Sequence, residues 1–267
     1  MIRRRSAAPS VRSARGQPAV APGRPATAAG CPGGQRSVCG RRPTHGADLL
    51  GERAYAGRVT TDWYAWHADY DRPDSALSRR LAEVRDQVRA ALDAAPAGPL
   101  RAVSLCAGQG SDLLPVLATH PRRDDVTARL VELDPRNAEV ARRFADAAGL
   151  DRVEVVVGDA ARTDRYADLA PAHLVLVCGI FGNIVDADIR NTVRHCAALC
   201  ATGGTVLWTR HREEPDLVPT ICEWFAEEGF EAVAVSSPAD RVGVGAHRFT
   251  GTPRPLAAGA TMFEFVR

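Results

Sequence analysis

Lysine is absent from this sequence. The 34 residues that count as lysine or arginine are all arginine. A Schiff-base enzyme forms its covalent intermediate on a lysine amine, and a P-loop nucleotidase holds its phosphates with a lysine. The absence of lysine therefore excludes both classes of enzyme.

Long apolar runs are also missing. A membrane-spanning helix takes about 20 predominantly apolar residues in succession, and no stretch of the sequence approaches that length. The start of the chain, MIRRR, is basic enough for an export signal. However, the apolar run of about 7 or more residues that such a signal needs does not follow it. The sequence thus predicts a cytoplasmic protein without a membrane partner.

Cysteine pairs with the two-residue spacing of zinc sites are absent as well. The seven cysteines are Cys31, Cys39, Cys106, Cys178, Cys196, Cys200 and Cys222. Their odd number favours reduced thiols, as expected in the cytoplasm. Cys196 and Cys200 continue the apolar stripe of Ile189 and Val193 on a predicted helix. We therefore expect both thiols to be buried in the core, and we expect no metal site.

The formal charge of +2 conceals two segments of opposite sign. The first 58 residues contain 11 arginines and two acidic residues, whereas the rest contains 23 arginines and 30 acidic residues. An enzyme that acts on nucleic acid usually carries a basic stripe on its folded part. The acidic remainder therefore favours a small molecule, or a protein, over nucleic acid as the partner. The oligomeric state does not follow from the sequence.

Residues 1–58 are rich in arginine, alanine, proline, glycine and serine, with hardly any large apolar side chain before Leu49. Such a segment cannot bury enough apolar surface to offset the entropy that ordering would cost. We predict a disordered tail over residues 1–58. Two interpretations of it stay open: an arm that binds nucleic acid, and an extension that comes from a wrongly assigned start codon.

Residues 59–98 form the next segment of the predicted organisation. Its apolar residues follow one another every three or four positions, which is typical of an amphipathic helix. They are Leu77, Leu81, Val84, Val88 and Leu92. Asp74 or Ser75 offers the start signal of this helix. Before it, four tryptophan and tyrosine residues fall within positions 63–70. They fit a lid over bound molecules, and they equally fit a hydrophobic staple that packs the helix onto the sheet.

Residues 99–267 alternate between strand-like and helix-like patterns. Strand-like apolar runs start at positions 100, 128, 153, 173, 204 and 230, and helical patterns fill most of the intervals. Nearly continuous valine and leucine runs are typical of parallel strands that are covered on both faces. The alternation predicts an α/β, Rossmann-like, doubly wound and mostly parallel sheet. GVGAHRFTG and TMFEFVR predict a final antiparallel strand or two.

A glycine turn follows the first predicted strand, in the segment VSLCAGQGSDLLPVL. Gly108 and Gly110 let the backbone turn tightly and approach a ligand. The second strand ends at Glu132, 24 residues beyond Gly108, where this architecture places an acid against ribose hydroxyls. The third strand ends at Asp159 and Ala160. Three strand ends therefore carry residues that suit one binding crevice.

This order of features resembles that of the class I S-adenosylmethionine-dependent methyltransferases. A glycine-containing loop after the fourth strand, and the Glu-Glu-Gly-Phe turn at 227–230, add to the resemblance, which covers roughly residues 62–267. It implies that S-adenosylmethionine is the cofactor. It also implies that Glu132 binds the ribose, that Leu133 lies against the adenine, and that Asp159 accepts a hydrogen bond from the adenine amino group. The residues that the resemblance places around the cofactor are Ala107, Gly108, Gly110, Asp112, Glu132, Leu133, Asp159, Ala160, Cys178 and Gly179.

Two positions depart from the family pattern. Cys106 stands where the family commonly has an acid that orients the methionine ammonium, and Asp112 stands at the usual third glycine. Asp112 has two open interpretations: it takes over part of the missing acid's role, or it caps the helix that follows.

Methyl transfer from a sulfonium is an in-line displacement, so alignment and desolvation supply much of the acceleration without an acid or base. A hydroxyl or ammonium acceptor would also need a base. The candidates are Tyr70 in the aromatic segment, Asn183 after the fourth strand and His211 after the fifth. Each has a plainer interpretation; Asn183, for example, suits a turn, Asp186 a helix cap and His211 an exposed loop.

Three other functions compete with methyl transfer to a small molecule. An NAD(P)-dependent oxidoreductase shares the two glycines and the acid, but its third glycine would fall at Leu113 and its motif lacks an Asp-Ala pair after the third strand. An aminopropyl transferase would need a paired-acid polyamine site, which the sequence does not display. A non-catalytic S-adenosylmethionine-binding protein is consistent with the departures at Cys106 and Asp112.

Overall fold

The computed structural model describes residues 62–66 and 75–266. The predicted tail over 1–58 and the candidate base Tyr70 lie outside the described residues. The helices are α1 (Trp63–Trp66), α2 (Ala76–Ala94), α3 (Leu114–Thr119), α4 (Pro135–Ala147), α5 (Asp186–Leu199) and α6 (Val218–Glu227). The strands are β1 (Leu100–Leu105), β2 (Val126–Glu132), β3 (Val153–Val157), β4 (Ala172–Val177), β5 (Cys200–His211), β6 (Phe230–Val235) and β7 (Val242–Phe249).

The seven strands form one sheet in the order β3-β2-β1-β4-β5-β7-β6. Strands β1 to β5 run parallel, and β7 is antiparallel to both β5 and β6. The predicted doubly wound, mostly parallel sheet with an antiparallel C-terminal strand is therefore confirmed. Within the described residues 261–266, the segment TMFEFVR forms no strand, because only Thr261 pairs there, in an isolated bridge with Arg162.

Helices cover both faces of the sheet. The core of one face includes side chains from α2, α3 and α4, and the core of the other includes side chains from α5 and α6. On α2 the predicted stripe is buried at Val84, Val88 and Leu92, and the helix begins after Ser75, whose hydroxyl accepts from the Ser78 N–H at 2.9 Å. Cys196 and Cys200 are fully buried, which confirms their predicted packing. No helix within 62–66 and 75–266 is long and apolar enough to cross a membrane.

The order of the strands fixes where a ligand can bind. The chain builds outward from β1 to β3, then returns to place β4 on the other side of β1. The crossovers on either side of this switch point diverge, so a crevice opens at the carboxyl ends of β1 and β4. The loops that follow β1, β2, β3 and β4 all reach this edge.

A buried histidine on β7 contacts side chains of β5 and α6. His247 is 1% exposed, its Nδ1 accepts from Trp208 Nε1 at 3.1 Å, and its ring stacks on Phe225 with centroids 4.6 Å apart. Burial lowers the pKa of His247 from its ordinary 6.5 to about 4. The folded core therefore accepts the neutral ring and resists its protonation.

This shift predicts that acid weakens the fold. As the pH falls below 6.5, the unfolded histidine takes up a proton while the folded one stays neutral until about pH 4. The contribution of the neutral ring to the free energy of unfolding is thus fully present above pH 6.5 and is lost between pH 6.5 and 4. The free energy of unfolding falls by about 2 to 3 kcal/mol over this range. Urea unfolding of the wild type and of His247→Gln, at neutral pH and at about pH 4.5, measures the loss. A glutamine oxygen still accepts from Trp208, so the variant should lose clearly less stability on acidification; equal losses in both proteins would refute the assignment.

Candidate functional site

The glycine turn after β1 is built from residues with left-handed backbone. Cys106, Gly108 and Gly110 have φ angles of 48°, 56° and 69°, a region that costs a residue with a side chain more than it costs glycine. The turn is held closed by a hydrogen bond from the Gly110 N–H to the Ala107 carbonyl, at 2.8 Å. A Cβ at Gly110 would lie only 2.5 Å from Leu114 Cδ1, so glycine is also required there for packing.

The carboxylate of Glu132 joins this turn to the end of β2. Its Oε2 accepts from the Gly108 N–H at 2.7 Å, and its Oε1 accepts from the Asp134 N–H at 2.9 Å. The residue is 8% exposed, and burial raises the pKa of the carboxyl group while the two backbone hydrogen bonds oppose that shift. A hydrogen bond from the Asn137 side chain also opposes the shift. An ionised carboxylate offers about four acceptor sites, so Glu132 keeps acceptor capacity for a ligand.

Sequence reasoning missed two amides beside this carboxylate. Asn137, in the first turn of α4, is fully buried, and its Oδ1 accepts from Gln109 Nε2 at 3.2 Å. The pair links α4 to the glycine turn. The available signal was a polar residue next to Ala138 on the apolar stripe of α4, which also contains Ala141 and Ala145.

An apolar surface and a carboxylate follow at the ends of β2 and β3. Leu133 is 39% exposed although it is a large apolar side chain, which leaves a platform that a flat ligand could cover. Asp159 accepts from the Ala161 N–H through Oδ1 at 2.9 Å, and the Ala160 carbonyl accepts from the buried hydroxyl of Tyr166 at 2.9 Å. The backbone around Asp159 is therefore fixed from two sides.

The electrostatics show that these strand ends converge. Burial raises the pKa of the Cys106 thiol strongly, and the carboxylates of Glu132 and Asp159 raise it further. Two acids from β2 and β3 thus act on one thiol at the end of β1. The three strand ends that the sequence singled out do meet at one edge.

The end of β4 supplies open space. Gly179 has a φ of 77°, and a Cβ built on it would meet no atom within 4 Å. Its N–H donates to Thr209 Oγ1 at 2.8 Å and its carbonyl accepts from Asn183 Nδ2 at 2.8 Å. Cys178, next to it, is a thiol whose pKa burial raises. The loop after β4 is thus pinned at its base and leaves room beside Gly179.

Asp112 closes the glycine turn on the side of α2. Its Oδ1 is buried and has no partner within hydrogen-bonding distance. The residue in the N-cap position of α3 is Leu113, and no side chain donates or accepts a capping hydrogen bond there. Burial raises the pKa of Asp112 to about 6, while hydrogen bonds from the backbone at Asp112 and Leu113, and then the charges of Arg80 and Arg85, oppose that shift. The geometry gives no support to the interpretation of Asp112 as a helix cap.

The remaining polar candidates are placed as follows. Asn183 lies in a turn, as its plainer interpretation holds, with its carbonyl accepting from the Val266 N–H at 2.9 Å. Asp186 is the first residue of α5 and not its cap, because Val185 precedes the helix. His211 is the last residue of β5, with its side chain 27% exposed and Nδ1 4.0 Å from Glu213 Oε2. A Cβ at Gly182 would lie 3.2 Å from His211 Cδ2, so this histidine faces the loop after β4.

The start and the end of the described chain meet at the same edge. Arg136, at the start of α4, binds Asp62 at 2.8 Å and lies over the Tyr64 ring, 4.9 Å from its centroid. The Trp63 ring lies 6.3 Å from that of Phe265. Sequence reasoning did not foresee that the C-terminal residues take part in this edge.

Residues 260–266 form a strap along the carboxyl edge, which we call the C-terminal strap. The Met262 N–H donates to the carbonyl of Ala161, two residues after Asp159, at 2.9 Å, and the Val266 N–H donates to the Asn183 carbonyl. Between them, the Met262 carbonyl accepts from Asn191 Nδ2 at 2.9 Å. The strap therefore connects the loop after β3 with the loop after β4.

Solved structures with a similar fold include two methyltransferases. The first is an O-methyltransferase family protein from Burkholderia thailandensis, with a TM-score of 0.55 and 19% sequence identity over 74% of this chain and 63% of that chain. The second is the magnesium protoporphyrin IX methyltransferase from Synechocystis PCC 6803 with bound S-adenosylmethionine, with a TM-score of 0.55 and 12% identity over 76% of this chain and 99% of that chain. This chain thus spans less than two thirds of the first structure's length. No protein-family model and no curated protein matches the sequence. At these identities the likeness concerns the fold, and it confirms the predicted methyltransferase-type fold.

Proposed function

We propose that this chain, which has the Rossmann-like fold of the class I methyltransferases, binds S-adenosylmethionine at the switch point and transfers its methyl group to a small molecule. The observation that carries the proposal is the contact between Glu132 and the Gly108 N–H. It sets a buried carboxylate, with acceptor sites to spare, beside a tight glycine turn at the crevice between β1 and β4. This combination suits the two hydroxyls of a ribose.

The described residues fit each part of the donor. Glu132 accepts from the ribose hydroxyls, Leu133 provides the apolar surface for the adenine, and Asp159 accepts from the adenine amino group beside the Ala160 backbone. The turn from Ala107 to Gly110 lies against the ribose and methionine parts. Cys178 and Gly179 flank the methionine end, where the open space beside Gly179 leaves room for it.

The bound donor supplies an electrophilic methyl carbon on a sulfonium. The contribution of the chain is to hold that carbon in line with the lone pair of the acceptor and to keep water away. Glu132 and Asp159 fix the donor at two points, and the loop at Gly179 sets the position of its reactive end. No acid or base is needed when the acceptor atom carries a free lone pair.

An acceptor with a proton to lose needs a base. Asn183 is an amide committed to the Gly179 carbonyl, so its role is to shape the loop. His211 is the titratable candidate, because it faces this loop from the end of β5. Tyr70 stays a prediction from the sequence.

We infer that the aromatic segment over 63–70 is a lid. Of its described residues, Tyr64 lies against Arg136 and Trp63 lies against Phe265, and both partners lie at the carboxyl edge. A cover of tryptophan and tyrosine side chains would exclude water from the reacting groups. The five cysteines within the described residues are free thiols, in keeping with the cytoplasmic location that we propose.

The rival functions have less support. A nicotinamide fingerprint would place its third glycine at Leu113, where a fully buried leucine packs instead. The two neighbouring folds are both named as methyltransferases, one of them acting on a porphyrin, in keeping with a small-molecule acceptor. A protein that binds the donor without turnover stays the second candidate, since Cys106 and Asp112 depart from the family pattern.

Calorimetric titration with S-adenosylmethionine, S-adenosylhomocysteine and NAD tests the proposal. We expect both sulfur ligands to bind and NAD to give no heat; binding of NAD alone would overturn the proposal. Incubation with radiolabelled methyl donor and fractionated extract of the source cell then tests turnover. Tight donor binding with no labelled product in any fraction would favour the non-catalytic binder.

A further inference from the structure

The helix α1 is too short to be stable by itself. It has four residues, Trp63–Trp66, whereas isolated helices shorter than about 12 residues are at best marginally stable in water. Asp62 caps its start, because its Oδ1 accepts from the Tyr64 N–H at 3.2 Å. The contacts that hold α1 to the rest of the molecule therefore decide whether the helix forms.

Two of these contacts converge on Arg136, in the first turn of α4. Its Nη2 donates to Asp62 Oδ1 at 2.8 Å, and its guanidinium lies over the Tyr64 ring, 4.9 Å from the centroid. The same guanidinium donates to both carboxylate oxygens of Asp134, through Nε at 3.1 Å and Nη2 at 2.6 Å. Hydrogen bonds to Asp134 and Asp62 raise the pKa of Arg136 above its ordinary value. Arg136 thus joins the start of α1 to the start of α4.

Asp134 connects this arginine to the proposed donor site. It caps α4, and its own N–H donates to Glu132 Oε1 at 2.9 Å. The residue between them, Leu133, is the exposed apolar surface that we assign to the adenine. Hydrogen bonds therefore run from the carboxylate assigned to the ribose, through Asp134 and Arg136, to the cap of α1.

The second attachment of α1 lies on the other side of the glycine turn. The Trp63 ring lies 6.3 Å from that of Phe265 in the C-terminal strap. The next residue of the strap, Val266, donates to the Asn183 carbonyl in the loop after β4. In the sheet, β1 lies between β2 and β4. α1 is thus held by residues that follow β2 and by a strap bound to the loop after β4, so it crosses the edge where β1 ends.

We infer that Arg136 holds α1 across the mouth of the crevice, and that its contacts with Asp62 and Tyr64 have to open before S-adenosylhomocysteine can leave after methyl transfer. We call these contacts the α1 latch. The inference rests on the proposed function, because the ligand that it retains is the product of that reaction. The side chains of Arg136 and Asp62 are each more than half exposed, so the pair is weak enough to open and close in every turnover.

Chymotrypsin, which cleaves after aromatic residues, tests whether Arg136 holds α1. In Arg136→Ala, cleavage within Trp63–Trp66 should be about 3- to 10-fold faster than in the wild type, because an exposed ion pair and a cation–π contact are lost together. Arg136→Lys keeps the charge without the planar fork and should give an intermediate rate. Arg143→Ala removes an exposed arginine of the same helix, paired with Glu139, and should be cleaved at the wild-type rate. Mass spectrometry identifies the cleaved bonds.

The rate at which bound S-adenosylhomocysteine is released tests whether the latch controls the site. Release should be about 3- to 10-fold faster from Arg136→Ala than from the wild type, and that of Arg143→Ala should stay within about twofold. Raising sodium chloride from about 0.02 M to about 0.5 M should speed release from the wild type far more than from Arg136→Ala, because salt screens an exposed ion pair. Loss of this salt response would not follow from a purely structural role. Asp62→Asn still caps α1, and it should speed release in the wild type yet add little in Arg136→Ala.

The possible failures point to different causes. If the wild type does not bind S-adenosylhomocysteine, the proposed function fails and this inference falls with it. If the wild type binds it, release from Arg136→Ala at the rate of the Arg143→Ala control overturns the inference alone. Faster release without faster cleavage of α1 also overturns it, since Arg136 would then act on Asp134 and not through α1. Circular dichroism checks that Arg136→Ala folds; if it does not, Asp62→Asn, which leaves α4 unchanged, takes its place in both measurements.

Discussion

Replacing Glu132 by alanine is expected to weaken binding of S-adenosylhomocysteine by about 100-fold or more. Hydrogen bonds to a charged acceptor contribute about 1.5 to 3 kcal/mol each, and the ribose would lose two of them. The buried Gly108 N–H would also lose its acceptor at 2.7 Å, so the turn would relax away from the shape that fits the ligand. Both effects weaken binding.

The measurement is a calorimetric titration of the variant beside Glu139→Ala. Glu139 is exposed on α4 and pairs with Arg143 at 2.9 Å, so its loss removes a carboxylate from the same region without touching the site. Glu132→Gln adds a graded case, because its amide keeps one acceptor oxygen. An affinity of Glu132→Ala within about threefold of the control would contradict the assignment of Glu132 to the donor site.

Replacing Gly245 by alanine is expected to destabilise the fold by about 2 kcal/mol or more, in the range of an overpacked core. Gly245 lies directly across from Trp208 in the antiparallel pair of β5 and β7. A Cβ on it would lie 2.3 Å from Trp208 Cε2 and 2.5 Å from Cζ2 and Nε1. Trp208 is fully buried and has contacts with Phe181 and Phe225, so the indole cannot move aside cheaply.

A double-mutant cycle tests this cause. Phenylalanine lacks the outer part of the indole, which includes Cζ2, and its smaller ring can turn away from β7, so Gly245→Ala should cost clearly less in the background of Trp208→Phe than in the wild type. Chemical unfolding of the four proteins gives the coupling free energy, which should exceed about 1 kcal/mol. Additive losses would mean that the clash is not the source of the destabilisation.

The strands and helices that the sequence predicted are marked by repeating apolar residues and by residues that start or end an element. The helix over Leu77–Leu92 and the acid at the end of β2 could be predicted because both depend on neighbours in the chain. Because β1, β2 and β3 are parallel neighbours, their carboxyl ends lie at one edge of the sheet. This strand order alone places Glu132 and Asp159 near each other. The part of the site that follows from topology was thus predictable.

The parts that the sequence did not predict depend on contacts between distant segments. TMFEFVR reads as a strand, but Met262 is held by Ala161 and Asn191 instead, and no local pattern encodes those partners. Asn137 reads as an ordinary helix residue until its contact with Gln109 is known. The apolar run predicts that β5 begins at position 204, but the strand begins at Cys200. A register irregularity between Ala172 and Leu174 of β4 accommodates the residues between Cys200 and Thr205.

The C-terminal strap also sets the order in which a newly made chain can complete its site. Residues 260–266 leave the ribosome after the sheet and every helix that the structure describes. Until then, the loop at Ala161 lacks the backbone donor of Met262, and the loop at Asn183 lacks that of Val266. A nascent chain can therefore form its sheet and the glycine turn early, yet it gains a fully braced crevice only after Met262 and Val266 have left the ribosome.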